Sequence, residues 1–66
     1  MEVKIVIGEN TEIREINENQ TVKDMLEIMD VPSETVVVKK NNYIVIEEEP
    51  VADGDTIEII QVIYGG

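Results

Sequence analysis

The spacing of the apolar residues changes twice along this chain of 66 residues. At the start, apolar residues alternate with mostly charged ones, as in a strand with one face on a core. A short middle segment then repeats with the period of a helix, and beyond Pro32 the strand-like pattern returns. A chain with one short amphipathic helix and several strands buries its apolar faces by packing that helix across a single sheet.

Two strands are predicted before the helix. Alternation over residues 3–7 predicts the first, and Gly8-Glu9-Asn10 has the composition of a turn. The second strand is predicted from Thr11 to Ile16. Ile13 and Ile16 differ in parity along it, so we expect either a bulge or an early strand end.

The helix is predicted from Val22 to Asp30. Its apolar stripe, widened by one further residue, consists of Val22, Met25, Leu26, Met29 and Ile28. Thr21 with Asp24 three residues later is typical of a capping box, and Pro32 prevents the helix from continuing. Because a single short helix is stable only when its stripe is buried, the stripe is interpreted as core and not as a binding groove.

The remainder of the chain alternates strands and turns. Its predicted segments are a strand over Thr35 to Lys39, a turn at Asn41-Asn42, a return strand over Tyr43 to Ile46, a loop over Glu47 to Ala52, a turn at Asp53-Gly54-Asp55 and a last strand over Thr56 to Tyr64.

This order of elements predicts an α+β fold of the ubiquitin-like β-grasp type, β-β-α-β-β-β, with a mixed sheet of four to five strands packed on one helix. A ferredoxin-like fold is the nearest rival, but it needs a second helix, and no second helical stripe follows Val36. Residues 1–64 are therefore expected to form a single domain, and residues 65–66 a flexible Gly-Gly tail.

Composition argues against an enzyme. The chain has no Cys and no His, so it lacks thiolate metal ligands and the commonest general base. With two Tyr and neither Phe nor Trp, so small a domain has little volume for a substrate-enclosing pocket. We expect no catalytic residues, no metal site and no bound cofactor.

The charge balance limits the partners. With 15 acidic and 5 basic residues, the chain repels nucleic acid and anionic membranes, and a basic protein surface is the favoured complement. The first seven residues lack the basic leader and long apolar run of a signal peptide, and no apolar stretch approaches the ~20 residues that span a bilayer. The protein is therefore expected to be cytoplasmic, with no direct nucleic-acid or membrane partner.

The pair Gly65-Gly66 after an apolar strand suggests a specific chemistry. Without Cβ atoms, such a tail can pass through a narrow channel of a partner enzyme and leave its carbonyl open to attack. A carboxylate does not react with thiols or amines unaided, so the partner must first adenylate it with ATP and Mg²⁺. The protein would then be the substrate of catalysis and not the catalyst.

The parity of the last strand predicts a surface that the partner contacts. Ile57, Ile59 and Ile63 lie on one side of it. The residues on the other side are Glu58, Ile60, Val62 and Tyr64. If Ile57 and Ile59 are core, the second set forms an exposed apolar stripe leading to the tail, whereas a bulge would invert the assignment.

Two segments resemble a known family. Residues 53–66, an Asp-Gly-Asp turn followed by an apolar strand and Gly65-Gly66, resemble the ending of ThiS-type sulfur carriers and of archaeal relatives. Residues 35–42 resemble the strand and turn in the middle of the same proteins, which often have Asn-Gly where this chain has Asn41-Asn42. Molybdopterin-type carriers of the MoaD kind commonly have prolines before the tail, and residues 61–64 contain none, so that branch is disfavoured.

The resemblance implies that a ubiquitin-activating-enzyme-like adenylyltransferase activates Gly66, and it leaves two fates open. In the first, a persulfide donor converts the tail to a thiocarboxylate that supplies thiamin synthesis or tRNA thiolation through sulfur-acceptor enzymes. In the second, the tail is joined to lysines of target proteins, as by archaeal small modifiers. Lys4, Lys23, Lys39 and Lys40 are candidate acceptors of further copies, but the favoured interpretation of each is a solubilising surface residue. A non-covalent β-grasp adaptor remains as a third alternative.

Overall fold

The computed structural model describes residues 1–62. The elements are β1 (Glu2–Ile7), β2 (Asn10–Glu15), α1 (Val22–Ile28), a short 3₁₀ helix (Ser33–Thr35), β3 (Val36–Lys40), β4 (Tyr43–Val45) and β5 (Thr56–Gln61). The predicted order is confirmed, and from β1 to the start of β5 the strand ends differ from the prediction by at most one residue. The helix ends at Ile28, before the predicted end at Asp30. β5 ends at Gln61, opposite the first residue of β3, so the prediction of a strand through Val62 was wrong. Residues 63–66 lie outside the described part, so the remaining prediction for Tyr64 and the Gly-Gly tail stays untested.

All strands of residues 1–62 belong to one mixed sheet of five strands, in the order β2-β1-β5-β3-β4. The first strand is antiparallel to β2 and parallel to the last, β5, which also pairs antiparallel with β3. The first and last strands therefore lie side by side inside the sheet, and the hairpin partners β2 and β4 form its edges. Strand β2 ends at Glu15 without a bulge in its pairing with β1, so the early strand end accounts for the parity change.

The core lies between the sheet and α1. It contains the buried residues Val3, Ile5, Ile16, Val22, Met25, Leu26, Val38, Val51, Ile57 and Ile59. Three of these come from the helix stripe, which confirms that the stripe is core. Ile28 is the exception: it is 50% exposed, whereas Met29 packs against the core. Ile28 lies to the side of the stripe around the helix axis, so the expected widening of the stripe was wrong.

Both ends of α1 are capped. At the start, the Thr21 hydroxyl accepts from the Asp24 amide at 3.2 Å and the Asp24 carboxylate accepts from the Thr21 amide at 3.0 Å, as the capping box predicts. At the other end, Asp30 has a positive φ of 59°. The amides of Asp30 and Val31 then donate to Glu27 and Leu26 carbonyls, a Schellman motif that ends the helix before Asp30.

The turn between β3 and β4 has the predicted chemistry. Asn41 and Asn42 both have positive φ, 51° and 74°, which is the type I′ geometry of a two-residue hairpin. Asn41 also donates through its amide nitrogen to Asp55 at 3.0 Å and accepts from the Thr56 amide at 3.0 Å. These bonds hold the hairpin turn against the turn that precedes β5.

We predict that Leu26→Ala and Ile28→Ala, two substitutions within one turn of the helix, have different effects on the free energy of unfolding. Leu26 is buried, so its truncation should lower the free energy of unfolding by about 2–5 kcal/mol. Ile28 is half exposed, so its truncation should change the free energy by less than about 0.5 kcal/mol. Chemical denaturation measures both, and equal losses for the two variants would contradict this helix orientation.

Candidate functional site

The candidate site lies at the C-terminal end of β5. On one side its last partner in β1 is Ile7, opposite Ile59, and on the other side β3 accompanies it to Gln61, opposite Val36. The Val62 amide then donates to the Thr35 carbonyl at 2.9 Å. The central strand thus carries the chain past the end of β1, between the β1–β2 turn and the 3₁₀ helix.

Burial fixes which side of β5 faces outward. Ile57 and Ile59 are buried under α1, which is the arrangement that the sequence favours. Their neighbours on the opposite side of the sheet are half-buried Glu58 and Ile60, which is 37% exposed. Val62 follows the strand and is half-buried. Of the predicted site residues, Tyr64, Gly65 and Gly66 lie outside the described part of the chain.

The outer face of the sheet, opposite α1, has apolar residues that sequence reasoning missed. Val37 lies directly opposite Ile60 in the β3–β5 pairing, and Ile44 follows on the same face of β4, opposite Lys39. Ile44 is 72% exposed. The predicted strand over residues 43–46 already placed Ile44 and Ile46 on one face. The sequence did not show which strand lies beside β4, so it did not show that this face continues the one that contains Ile60.

A depression of about 370 Å³ lies beside Ile60. It forms because β5 continues beyond the last residue of β1, leaving the start of the β1–β2 turn as its other wall. The lining residues are Ile7, Gly8, Glu58, Ile59, Ile60 and Gln61. It lies beside the last residues of β5, and its size is suited to a side chain of a docked protein.

The outer face carries few of the charges. By strand register its charged residues are Glu2, Lys4, Glu15, Lys39 and Glu58. Lys39 and Glu58 lie opposite each other on neighbouring strands, a favourable cross-strand pair. Most of the 15 acidic residues therefore lie elsewhere, and the attraction to a basic partner expected from composition applies mainly to those other surfaces.

One lysine differs from the others in its surroundings. Lys40 Nζ lies 2.7 Å from Glu49 Oε2 and 4.0 Å from Asp55 Oδ2, and it donates to the Pro50 carbonyl at 3.0 Å. The hydrogen bond to Glu49 raises the pKa of Lys40 above its ordinary value, with the charges of Glu49 and Asp55 acting in the same direction against partial desolvation. Lys4 and Lys23 are exposed and Lys39 is half-buried.

Within residues 1–62, no group of three or more acidic side chains is arranged to hold a metal ion. The same residues include no helix with the length and apolar character required to cross a bilayer.

The architecture defines a class: the chain is a small ubiquitin-like β-grasp protein. Its sequence matches the model of the ThiS family over residues 4–66, and the chain belongs to that family. The suspected resemblance is thereby confirmed.

Solved structures with the same fold include archaeal and bacterial proteins. SAMP1 from Haloferax volcanii superposes with a TM-score of 0.77 at 17% identity, over 100% of both chains. A ubiquitin from Caldiarchaeum subterraneum gives 0.70 at 26% identity, over 100% of this chain and 98% of the other. A chain in the complex of subunits 1 and 2 of molybdopterin-converting factor from Helicobacter pylori gives 0.70 at 18% identity, over 100% of both.

We predict that Lys40 is the lysine slowest to react with a limiting amount of an amine-directed acetylating ester at mildly alkaline pH. Only the neutral amine attacks, and a raised pKa together with the bonds to Glu49 and Pro50 keeps Lys40 charged and engaged. Mass spectrometry of peptides measures acetylation at each lysine. Glu49→Gln should accelerate Lys40 and leave Lys23 unchanged, whereas equal rates at Lys40 and Lys23 in the wild type would contradict the prediction.

Proposed function

We propose that this protein is a sulfur carrier whose Gly66 carboxylate is adenylated by a ubiquitin-activating-enzyme-like partner and converted to a thiocarboxylate. The observation that carries the proposal is the ThiS-family match, which runs to residue 66 and so includes Gly65-Gly66. The exposed position of Ile60 beside the exit of the chain supports it, because a partner that takes the tail must also contact this part of the sheet.

The chemistry divides between the carrier and its partners. A carboxylate oxygen of Gly66 attacks the α-phosphorus of ATP and releases pyrophosphate, with Mg²⁺ in the partner neutralising the phosphates. The terminal sulfur of a persulfide then attacks the acyl-adenylate and displaces AMP, and a second thiol cleaves the sulfur–sulfur bond to leave the thiocarboxylate. This chain has no Cys, so both sulfur nucleophiles belong to partner proteins, and the acceptors belong to thiamin-type or tRNA-thiolation-type synthesis.

The surface that engages the activating enzyme consists, in this proposal, of Glu58, Ile60, Val62 and Tyr64. Ile60 supplies an apolar contact, together with Val37 beside it on β3. Glu58 and its cross-strand neighbour Lys39 supply paired charges that fix the orientation of the partner. Because the reaction consumes ATP, we place it in the cytoplasm.

A second candidate is a protein modifier, in which a lysine amine of a target displaces the activated leaving group and forms an isopeptide bond with Gly66. Similarity at 26% identity to the Caldiarchaeum subterraneum ubiquitin favours it. If copies are joined to one another, the exposed Lys4 and Lys23 are better acceptors than Lys40, whose amine is held by Glu49.

The sulfur carrier and the protein modifier form different products at Gly66. We predict that intact protein from its own cells, isolated without reductant or acid, includes a fraction heavier by the difference between one sulfur and one oxygen atom. Mass spectrometry should place the increment on Gly66, and a chain lacking Gly65-Gly66 should not acquire it. Gly-Gly remnants on lysines of other proteins would instead establish the modifier, and finding neither product would contradict both and support the non-covalent adaptor.

We predict that Ile60→Glu weakens engagement of the activating enzyme, because it places a carboxylate in an apolar contact. In ATP–pyrophosphate exchange the KM for this protein should rise at least about tenfold, which corresponds to about 1.4 kcal/mol. Ile13→Glu is the matched control, since Ile13 is 61% exposed on edge strand β2 and receives the same charge. Equal impairment of both variants, or unfolding of Ile60→Glu by circular dichroism, would contradict the assignment.

A further inference from the structure

The two edges of the sheet are protected to different degrees. Proteins commonly guard an exposed edge strand with charged residues, because its unpaired backbone groups attract another strand. Edge strand β2 follows this rule, with Glu12, Arg14 and Glu15 among its six residues. Edge strand β4, Tyr43–Val45, has no charged residue and no proline. The β4 edge therefore lacks the charged protection of β2 and is limited only by its short length of three residues.

The hairpin register shows which backbone groups the β4 edge offers. Lys40 and Tyr43 close a two-residue turn and so form a hydrogen-bonded pair, which makes the next pair, Lys39 and Ile44, a non-hydrogen-bonded one. The N–H and C=O of Ile44 consequently point away from β3. Among residues 1–62, β4 pairs only with β3, and no backbone hydrogen bond from a turn or loop reaches Ile44. An extended segment laid beside β4 would bond to both.

Side chains around this edge add an apolar contact surface. Tyr43, Ile44 and Ile46 are 76%, 72% and 69% exposed, and they are half of the large hydrophobic residues exposed in the described chain. Their parity places Ile44 and Ile46 on the outer face of the sheet and Tyr43 on the other. Because β4 is short and provides few backbone bonds, these side chains would supply much of the affinity.

Charge indicates the kind of segment that fits. Glu47 and Glu48 follow Ile46 directly, and neither forms an ion pair within the described residues. Glu49, by contrast, is paired with Lys40. A second copy of the chain would bring the same carboxylates and a net charge of −10 against its own. A segment with positive residues is attracted where a second copy is repelled.

We propose that the β4 edge is a docking site for an extended segment of another protein, in which apolar residues alternate with Lys or Arg. The segment pairs with Ile44 through its backbone, packs its apolar side chains on Ile44 and Ile46, and lays the methylene stems of its Lys or Arg residues along Tyr43 on the other face, with their charges directed toward Glu47 and Glu48. The β4 edge adjoins the outer-face surface around Ile60, but pairing of a segment with β4 does not depend on the fate of Gly66.

The test uses a synthetic peptide of alternating Lys and Val, acetylated and amidated at its ends, with the full-length protein. Heteronuclear NMR titration should shift the resonances of residues 42–48, and hydrogen exchange of the Ile44 amide should slow at least about tenfold in excess peptide. Ile44→Thr keeps a β-branched residue but removes apolar surface, and it should weaken binding at least about fivefold. Ile13→Thr, on the guarded edge, should leave binding unchanged.

Three comparisons make the proposal refutable. A peptide with proline at its central Val cannot pair at that position and should bind more weakly, so equal binding would exclude strand pairing. A peptide with Glu in place of Lys should not bind, and Glu47→Gln with Glu48→Gln should weaken the Lys peptide, so no response to either change would refute the charge argument. Sedimentation that shows a dimer lost in Ile44→Thr would assign the edge to a second copy and overturn the proposal.

Discussion

Strand β5 lies between β1 and β3, with Ile57 and Ile59 buried under the helix. Successive side chains point to opposite faces, so this burial sends Glu58 and Ile60 to the outer face, and a slip of one residue would exchange the two sets. The same register carries the chain past the end of β1 toward its last described residues. Core packing and presentation of the proposed partner surface therefore rest on one constraint.

Features that depend on neighbouring residues in sequence could be predicted, since their physics is local. The capping box at Thr21, the paired positive φ values of Asn41 and Asn42, and the alternation along β5 are of this kind. The exposure of Ile28 could not be predicted, because coverage of a residue at the side of the stripe depends on how the helix is oriented on the sheet. Ile44 was missed for a related reason: only the strand order shows that β4 is an edge. The role of Gly66 rests on family resemblance, now supported by membership of the ThiS family.

The molecule has two apolar surfaces in different electrostatic settings. Around Ile60 the charges are mixed, with Lys39 facing Glu58 across the strands, whereas the β4 edge is followed by carboxylates that no lysine of the described chain neutralises. The nearest candidate, Lys40, is occupied by Glu49 and Pro50. Regions with such different charge favour chemically different partners, although β3 alone lies between β4 and β5 on the face that they share.

The uneven distribution of charge also affects how a partner meets the protein. An anionic protein surface is repelled by most of this molecule but only weakly by the outer face of the sheet, where lysines and carboxylates nearly balance. For a partner with an anionic surface, the least repelled approach is the one that brings the outer face and Ile60 forward. Orientation would then be selected by repulsion from the other faces, so a mutation on the back of the domain, far from any contact, would change the rate of productive encounter.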